Sequence, residues 1–441
     1  MDAWKKAMVC GLGASGAAAA RLLRAEGVSV LAVDERDTPA GRKNAAELSA
    51  LGCAVALGAP RPPAGGFDVA VASPGLPAAA PFLSEIRRRG IPLVAEMELG
   101  WSRFRGRTVA VTGSNGKSSV VKALAECLEA AGRRATPCGN YGLPVCQAVL
   151  DAPGAAWLVI EASSFQLETC AEFRPDIGVL MNVLPNHLDR HGTLEAYARL
   201  KARLFARQRG GDVALTPPEW SARFQTWSGG RGQWRTFGAE PDADFVFAGG
   251  RLAEKGAGVI GIDGSYFNNA VLGANAAALF GAARAAGLAP ETVQGVLRRF
   301  ESLPHRAQPA GEFNGVRYVD DSKATNLSAM IASIRMQDRP VWLIAGGRPK
   351  ETDFSAAVPV LMERVRGVFL IGEAAPAMAS AWAGAVPCEG CGTLDRAVAA
   401  ARRAARPGEA VLLAPACTSY DQFRAYAERG EAFRKFASEK D

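Results

Sequence analysis

The chain has 441 residues, of which 49% are hydrophobic and 22% are charged, and its formal net charge is +7. This composition excludes a disordered chain, and no apolar run reaches the roughly 18 residues that a membrane-spanning helix needs. The basic residues are scattered, which argues against nucleic-acid binding, and the N-terminus lacks the layout of a signal peptide, so we expect a cytoplasmic protein of about two to four domains.

The first part of the chain alternates apolar strands with helical patterns. A strand at Ala7–Cys10 runs into the turn Gly11-Leu-Gly-Ala-Ser-Gly16, an Ala-rich helix follows, and the next strand ends at Asp34. This order predicts a parallel sheet. A G-x-G-x-x-G turn followed by an acidic strand end is typical of dinucleotide sites. The motif is compatible with NAD, with another nucleotide diphosphate or with no ligand, and it favours a nucleotide.

A second α/β block begins with the strand Thr108–Val111 and the loop Thr112-Gly-Ser-Asn-Gly-Lys-Ser-Ser119, which a helix follows. Val111 stands where the usual phosphate-loop pattern has its first glycine. The strand, loop and helix nevertheless predict a cradle for ATP phosphates, in which Lys117 reaches the β- and γ-phosphates and the Ser118 hydroxyl faces Mg²⁺.

Two further polar segments follow apolar strands of this block. Glu161 begins the segment Glu161-Ala-Ser-Ser-Phe-Gln166, where it could ligate Mg²⁺, although for the segment taken alone helix capping by Ser163 or Ser164 is the safer interpretation. The segment Asn182–His191 contains His187 and His191, and two histidines after a buried strand favour a site over a structural role. The short β patterns of residues 210–265 predict an extension of the same domain.

The third block has three polar loops, each of which follows a strand. They are Asp320-Asp-Ser-Lys-Ala-Thr-Asn326, Gly346-Gly-Arg-Pro-Lys350 and Pro415-Ala-Cys-Thr-Ser-Tyr-Asp421. Because polar loops at the carboxyl ends of strands of one sheet lie at one edge, they predict a rim that binds an anion.

Taken together, these motifs resemble the Mur ligases of peptidoglycan synthesis along essentially the whole chain. The resemblance is carried by GLGASG, VASPGLP, VTGSNGKSS, CGNYGLP, EASSFQLE, NHLDRH, LPHR, DDSKATN, GGRPK and APACTSYDQF. It implies three α/β domains: a Rossmann-like UDP-sugar-binding domain at residues 1–95, a central P-loop ATPase-type domain at 96–302, and a Rossmann-like amino-acid-binding domain at 303–441.

The resemblance also implies the activity, which is the ATP-dependent addition of glutamate, most simply D-glutamate, to UDP-N-acetylmuramoyl-L-alanine through an acyl phosphate. The implied partners are these small molecules alone, without nucleic acid or membrane, and the implied state is a monomer. The implied cofactors are ATP and two Mg²⁺ ions, and Lys201 is expected to be carbamylated. Since carbamylation needs a neutral amine, we expect Lys201 to be sheltered from water.

The same resemblance assigns residues to roles. The implied catalytic residues are Lys117, His187 and Lys201, and the implied metal ligands are Ser118, Glu161, His187 and Lys201. The implied ATP contacts are Gly113, Ser114, Asn115, Gly116, Lys117, Ser118, Ser119, Asn275, Arg306 and Asp321. The implied UDP-sugar contacts are Ser15, Asp34, Glu35, Arg36, Ser73, Gly75, Asn140, Ser163 and Gln166. The implied glutamate contacts are Lys323, Thr325, Lys350, Ser419, Tyr420 and Tyr426.

The chain departs from the family pattern at a few positions. Asn186 precedes His187 where an acidic residue is common, Glu351 follows Lys350 where glycine is usual, and only Asn275 remains of an H-N-x-x-N segment. Three alternatives stay open at this point: a related ligase with L-glutamate or another amino acid, a nicotinamide-dependent oxidoreductase that uses the glycine-rich turn, and a non-catalytic nucleotide-binding protein.

Overall fold

The computed structural model describes residues 4–439, and it contains three separate β-sheets in chain order. By their contacts these residues divide into two compact units. The first two sheets lie in the first unit, which comprises the chain up to Val183, Leu188–Asp263 and Ala274–Arg298. The third sheet lies in the second unit, together with the short segments Leu184–His187 and Gly264–Gly273. No helix among the described residues is long and apolar enough to cross a membrane.

The first sheet is parallel and has five strands in the order β3-β2-β1-β4-β5. Its strands are β1 (Lys6–Cys10), β2 (Ser29–Asp34), β3 (Ala54–Leu57), β4 (Val69–Ala72) and β5 (Leu93–Ala95). Its helices are α1 (Ala14–Ala25), α2 (Pro39–Ala50), α3 (Pro81–Arg88) and α4 (Glu96–Arg103). The strand order reverses between β1 and β4, and this switch point places the glycine-rich turn beside the loop after β4, where parallel sheets bind ligands.

The second sheet has nine strands in the order β14-β13-β12-β11-β10-β9-β6-β8-β7. Its strands are β6 (Arg107–Thr112), β7 (Ala135–Gly139), β8 (Trp157–Glu161), β9 (Ile177–Leu180), β10 (Val213–Thr216), β11 (Gln233–Gly238), β12 (Phe245–Ala248), β13 (Arg251–Glu254) and β14 (Val259–Gly261). Its helices are α5 (Lys117–Ala130), α6 (Val145–Asp151), α7 (Ser164–Leu167), α8 (Leu188–His191), α9 (Leu194–Ala202), α10 (Pro218–Ser228), α11 (Gly273–Ala285) and α12 (Pro290–Arg299). The strands from β10 to β14 extend the sheet of the phosphate loop, as predicted for residues 210–265.

The third sheet has six strands in the order β15-β16-β20-β17-β18-β19. Its strands are β15 (Gln308–Phe313), β16 (Val316–Asp320), β17 (Val341–Gly346), β18 (Val365–Ile371), β19 (Cys388–Gly392) and β20 (Ala410–Leu413). Its helices are α13 (Leu327–Arg335), α14 (Val358–Arg364), α15 (Ala375–Ala381), α16 (Leu394–Ala404) and α17 (Tyr426–Ser438). The strands β16, β20 and β17 are neighbours, so the three polar loops predicted to form a rim follow three adjacent strands.

Three α/β sheets confirm the predicted fold class, while the domain boundaries stay a prediction. The first two sheets share an apolar core, in which Leu99 of α4 and Cys146 of α6 pack with the buried face of α1. Arg21 of α1 also donates to Gln147 of α6, with 3.4 Å between Nη1 and Oε1. The sequence interpretation did not include five strands that lie at sheet edges and carry a weaker apolar signal than central strands, namely β3, β5, β7, β15 and β19.

Candidate active site

The phosphate loop connects the buried strand β6 with α5 and turns on two glycines. Gly113 has a φ of 137° and Gly116 has a φ of 86°, and residues other than glycine rarely adopt backbone angles in this region. A Cβ atom on Gly116 would also lie 2.8 Å from Nδ2 of Asn275, one of the predicted ATP contacts. Gly116 caps α5 without any side-chain hydrogen bond to the first turn, so the first N–H groups of the helix lie next to the loop.

Asn182, which follows β9, holds this loop in shape. Its Oδ1 accepts hydrogen bonds from the backbone N–H groups of Ser114 at 3.2 Å and Asn115 at 2.9 Å, and its Nδ2 donates to the Asn115 carbonyl at 3.2 Å. The loop is therefore preformed by a residue that lies 67 positions away in the chain. Sequence analysis did not single out Asn182, because only the pairing of β6 with β9 brings it there.

Lys117 curls back over the loop that precedes it. Its Nζ donates to the carbonyl oxygens of Gly113 and Ser114, both at 2.9 Å. This position places a cation at the N-terminal end of α5, where the helix dipole and the N–H groups already favour an anion. The arrangement is suited to phosphate.

Ser118 and Glu161 meet at the carboxyl ends of two neighbouring strands. Because β6 and β8 pair in parallel, the Ser118 hydroxyl can donate to Oε2 of Glu161, at 2.6 Å. Asn140, at the end of β7, donates through Nδ2 to Oε1 of the same carboxylate at 2.8 Å. Glu161 is buried with an exposed fraction of 3%, and both carboxylate oxygens are engaged.

Lys201 of α9 is enclosed beneath the same loop. Its exposed fraction is 1%, its Nζ donates to the Gly113 carbonyl at 2.9 Å, and it lies 4.2 Å from the centroid of the Tyr197 ring. Burial, and after it the positive charge of Lys117, lower the pKa of Lys201 well below its usual value, although Glu161 opposes the shift. The expected shelter of Lys201 is confirmed, and a neutral amine is the form that reacts with CO₂.

His187, the remaining predicted metal ligand, lies in the short segment Leu184–His187 that belongs to the second unit. Its φ of 55° is in the left-handed region, which non-glycine residues seldom adopt outside functional loops. Among residues 4–439 no three His, Cys, Asp or Glu side chains form a metal cluster. The predicted ligand set contains only two side chains of these types, Glu161 and His187, and adds Ser118 and Lys201.

The predicted UDP-sugar contacts of the first sheet surround the glycine-rich turn. Asp34 accepts the backbone N–H of Leu12 at 2.7 Å and that of Arg36 at 2.9 Å, so its carboxylate orders the turn. Ser73 is buried and donates its hydroxyl to the Gly11 carbonyl at 3.0 Å. A Cβ atom on Gly16 would lie 1.7 Å from that carbonyl oxygen. These residues shape the loop.

The other predicted contacts to the UDP-sugar occupy several places. Ser15 is half-buried in the first turn of α1, whereas Glu35, Arg36 and Gly75 are exposed. Asn140 lies beside Glu161 at the carboxyl edge of the second sheet, and its contact with the UDP-sugar stays a prediction. The backbone register explains this position, because Gly139 of β7 pairs with Glu161 of β8.

Ser163 and Gln166 form a capping box at the start of α7. Gln166 N donates to the Ser163 hydroxyl at 3.3 Å, and Ser163 N donates to Oε1 of Gln166 at 3.0 Å. The capping explanation of this segment is thus correct for Ser163, while the metal-ligand explanation of Glu161 at the preceding strand end stays open. The two interpretations apply to different residues of one motif.

In the second unit, His305 organises the loop after β16. Its Nδ1 lies 2.7 Å from Oδ2 of the fully buried Asp320, and its carbonyl accepts the N–H of Lys323 at 3.1 Å. The ammonium of Lys323 lies 3.9 Å from the ring centroid of Tyr426. Loss of surrounding water raises the pKa of Asp321 to about 6, and the nearby Arg306 opposes that shift.

The predicted glutamate contacts share this edge of the third sheet. Lys350 and Tyr420 are exposed, Thr325 is half-buried, and Ser419 is buried. Glu351, which is half-buried, points both carboxylate oxygens at the backbone N–H of Leu327, the first residue of α13, at 3.4 and 3.3 Å. Burial raises the pKa of Glu351, and Lys350 partly offsets the effect.

Buried charged and aromatic residues around His191, which the sequence analysis named without a role, complete the site of the first unit. The side chain of His191 is 1% exposed, its Nε2 lies 3.0 Å from the Ser164 hydroxyl, and its ring stacks on Tyr197 at 5.3 Å. Arg190 and Glu168 form an ion pair. The density of polar residues in the Asn182–His191 segment signalled His191 and Arg190, whereas the sequence analysis gave no signal for Glu168 or Tyr197.

Comparison with known proteins agrees with this architecture. The chain matches three family models: the MurD-like N-terminal domain of Mur ligases over residues 5–95, the Mur ligase middle domain over 111–265, and the Mur ligase glutamate ligase domain over 305–417. It is 38% identical to UDP-N-acetylmuramoylalanine–D-glutamate ligase of Acidobacterium capsulatum over 98% of this chain and 95% of that one. It is 36% identical to the protein of the same name from Myxococcus xanthus, over 98% and 97% of the two chains.

Solved structures with the same fold are more distant in sequence. The MurF ligase of Thermotoga maritima in complex with ADP superposes with a TM-score of 0.64 at 18% identity, over 93% of this chain and 94% of that one. The UDP-N-acetylmuramate–alanine ligase of the same organism gives a TM-score of 0.58 at 16% identity, over 98% of each chain. From the three domain matches and the full-length relatives, we conclude that this chain belongs to the Mur ligase family.

Proposed function

We propose that the chain catalyses the ATP-dependent ligation of D-glutamate to UDP-N-acetylmuramoyl-L-alanine, with ADP and phosphate as co-products. One observation carries the proposal: Lys117, Ser118, Glu161 and Lys201 converge around a single preformed loop at the carboxyl edge of the second sheet. The full-length relatives that share this chain's three domains bear the name of that ligase. An oxidoreductase would have no use for this convergence, and a passive nucleotide-binding protein would not need a buried lysine within it.

The first chemical step is the attack of the substrate's terminal carboxylate on the γ-phosphorus of ATP, which forms an acyl phosphate and releases ADP. Both reactants are anions, so the site must offset their repulsion and hold them in line. The N–H groups of the loop and of the first turn of α5 receive the phosphates. Lys117 exchanges the carbonyls of Gly113 and Ser114 for phosphate oxygens as ATP enters.

The residues present fit the binding of Mg²⁺, which would lower the negative charge on the phosphates when bound. The Ser118 hydroxyl and the Glu161 carboxylate are oxygen donors of the kind that Mg²⁺ takes, and they already lie 2.6 Å apart. We propose a second site that uses His187 and a carbamylated Lys201. The burial of Lys201 and the lowered pKa of its amine fit this modification, which replaces a cation by a carboxylate-like group.

The second step is the attack of the glutamate amine on the acyl carbon, which forms the amide bond and expels phosphate. We propose that Thr325, Lys350, Ser419 and Tyr420, from loops after the adjacent strands β16, β17 and β20, hold the two carboxylates of glutamate, together with Lys323 and Tyr426. The two lysines and four hydroxyl side chains of this set can donate hydrogen bonds to both carboxylates of glutamate. Arg306, Asp321 and Asn275 are proposed to contact ATP, and the turn at Gly11–Gly16 the UDP diphosphate.

The same ligation with L-glutamate is the second candidate. Glu351 is the observation that favours this candidate, because its carboxylate lies beside Lys350 and alters the charge near the proposed glutamate site. We further propose that the protein is a cytoplasmic monomer whose substrates are small molecules and not nucleic acid.

Phosphate release decides between these candidates. The protein is mixed with Mg-ATP and UDP-N-acetylmuramoyl-L-alanine, and release is measured with D-glutamate, L-glutamate, lysine and diaminopimelate in parallel. We expect release with D-glutamate and none without the UDP-sugar. Release with L-glutamate alone selects the second candidate, and absence of release with every amino acid refutes both.

A further inference from the structure

The loop after β4, residues 74–78, is held against the second sheet by one ion pair. We propose that Arg190 and Glu168, here called the loop clamp, act as positioning residues that hold this loop of the UDP-sugar domain at a set distance from the phosphate loop. The inference rests on the proposed function for its catalytic consequence. The clamp itself is a structural feature that can be tested separately.

The contacts run from the clamp directly to the backbone of the loop. Oε2 of Glu168 accepts the N–H of Ala78 at 3.0 Å. Arg190 donates to the carbonyl oxygens of Pro74 and Leu76, in each case at 3.5 Å. Glu168 thus accepts a hydrogen bond from one backbone N–H of the loop, and Arg190 donates to two of its carbonyl oxygens. A substitution of either residue therefore removes hydrogen bonds to the loop backbone.

Burial and neighbouring contacts restrict the side chains of this ion pair. The side chains of Arg190 and Glu168 have exposed fractions of 16% and 11%, and Nε of Arg190 donates to Oε1 of Glu168 at 3.1 Å. The Arg190 guanidinium lies 4.1 Å from the centroid of the Phe165 ring. Burial alone would raise the pKa of Glu168, but hydrogen bonds from Arg190 and Ala78 outweigh it and lower that pKa. Partly buried bidentate pairs of this kind restrict both partners far more than exposed pairs do.

Beyond the clamp, aromatic contacts continue to the phosphate loop. His191, which follows Arg190, has Nδ1 3.7 Å from Oε1 of Glu168 and stacks on Tyr197. The Tyr197 hydroxyl lies 3.4 Å from that of Ser114 in the phosphate loop, and its ring contacts Lys201. Packed groups therefore connect the loop of residues 74–78 with the phosphate loop and Lys201.

The packing of the first sheet against the second does not depend on the clamp. The helices α1, α4 and α6 share an apolar core that includes Leu99 and Cys146. Removing the clamp should leave this core intact and loosen only residues 74–78. A loose loop misplaces the carboxylate that must attack in line, and a displacement of about 1 Å can slow such a reaction roughly 100-fold.

Hydrogen–deuterium exchange of the full-length protein tests the clamp without reference to activity. We expect the peptide that contains Ala78 to exchange at least about ten-fold faster in Arg190→Gln and in Glu168→Gln than in the wild-type protein. The matched control is Arg207→Gln, which breaks an exposed ion pair with Glu172 whose side chains are 51% and 68% exposed. Unchanged exchange in both clamp variants would overturn the proposal.

Kinetics and binding test the positioning role. We expect kcat to fall about 100-fold in Arg190→Gln, with the KM for glutamate and the affinity for Mg-ADP within about three-fold of wild type. The double variant should lose less activity than the product of the two single losses, because both substitutions break one ion pair. A kcat near that of wild type despite faster exchange, or a loss of ADP affinity equal to the loss of kcat, would contradict positioning.

Failure of the proposed function and failure of the clamp proposal give different results. If the wild-type protein releases no phosphate with any amino acid, the proposed function fails, while the exchange data still decide whether the clamp holds the loop. If the wild type is active and Arg190→Gln behaves like Arg207→Gln in both assays, the clamp proposal fails alone. Partial recovery by Arg190→Lys, which keeps the charge but loses the fork of donors, would support the assigned geometry.

Discussion

Glu96 offers a quantitative test of how burial acts on stability in the first unit. Its exposed fraction is 1%, and its Oε1 accepts the N–H of Cys146 at 2.7 Å. Oε2 has no hydrogen-bond partner within the described residues. Burial, only partly offset by the hydrogen bonds from Cys146, raises the pKa of Glu96 to about 7 from an ordinary value of 4.5. The perturbation that we consider is Glu96→Gln, which keeps the acceptor and removes the charge.

Proton binding by Glu96 sets the direction in which the free energy of unfolding changes with pH. Between about pH 4.5 and 7 the folded state holds a proton on Glu96 that the unfolded state has released, so the free energy of unfolding falls as pH rises through this window. At about pH 8 the full shift applies, and at 1.36 kcal/mol per pKa unit its cost is about 3 kcal/mol. At about pH 5 most of that cost has vanished, and about 1 kcal/mol remains.

We therefore expect Glu96→Gln to be more stable than wild type by about 3 kcal/mol near pH 8, and by about 1 kcal/mol near pH 5, in equilibrium urea unfolding. The control is Glu195→Gln, which removes a carboxylate that is 63% exposed and should change stability by less than about 1 kcal/mol at both pH values. A gain that is the same at both pH values, or a loss at about pH 8, would refute the argument from burial.

Three further predictions concern the proposed reaction. Lys201→Ala should lower kcat at least about 100-fold, and millimolar acetate should restore part of it by replacing the carbamate; undiminished activity would exclude that role. Glu351→Gly should lower the KM for glutamate about three- to ten-fold, because it removes a competing carboxylate from the N-terminus of α13; an increase in KM would mean that Glu351 assists binding. Gly16→Ala should weaken UDP-sugar binding at least about ten-fold in calorimetry and leave Mg-ADP binding unchanged, because its Cβ would lie 1.7 Å from the Gly11 carbonyl oxygen; equal loss of both ligands would indicate general damage.

The sequence was sufficient for features that depend on neighbours in the chain. Apolar runs that end in polar residues predicted the strands β1, β6, β8 and β16, and the glycines of the phosphate loop predicted a turn that the φ values of Gly113 and Gly116 confirm. Such signals are local, because a turn or a buried strand leaves its requirement in consecutive residues. The order of motifs then indicated the family, which the domain matches confirm.

The tertiary structure alone decided which distant residues meet. Asn140 lies beside Glu161 because β7 pairs with β8, and its contact with the UDP-sugar stays a prediction. Asn182 braces a loop 67 residues earlier in the chain. Arg190 and Glu168 gain their role only through the fold that brings residues 74–78 to them. Composition and periodicity do not record these pairs, since strand order and side-chain burial arise only when the whole chain has packed.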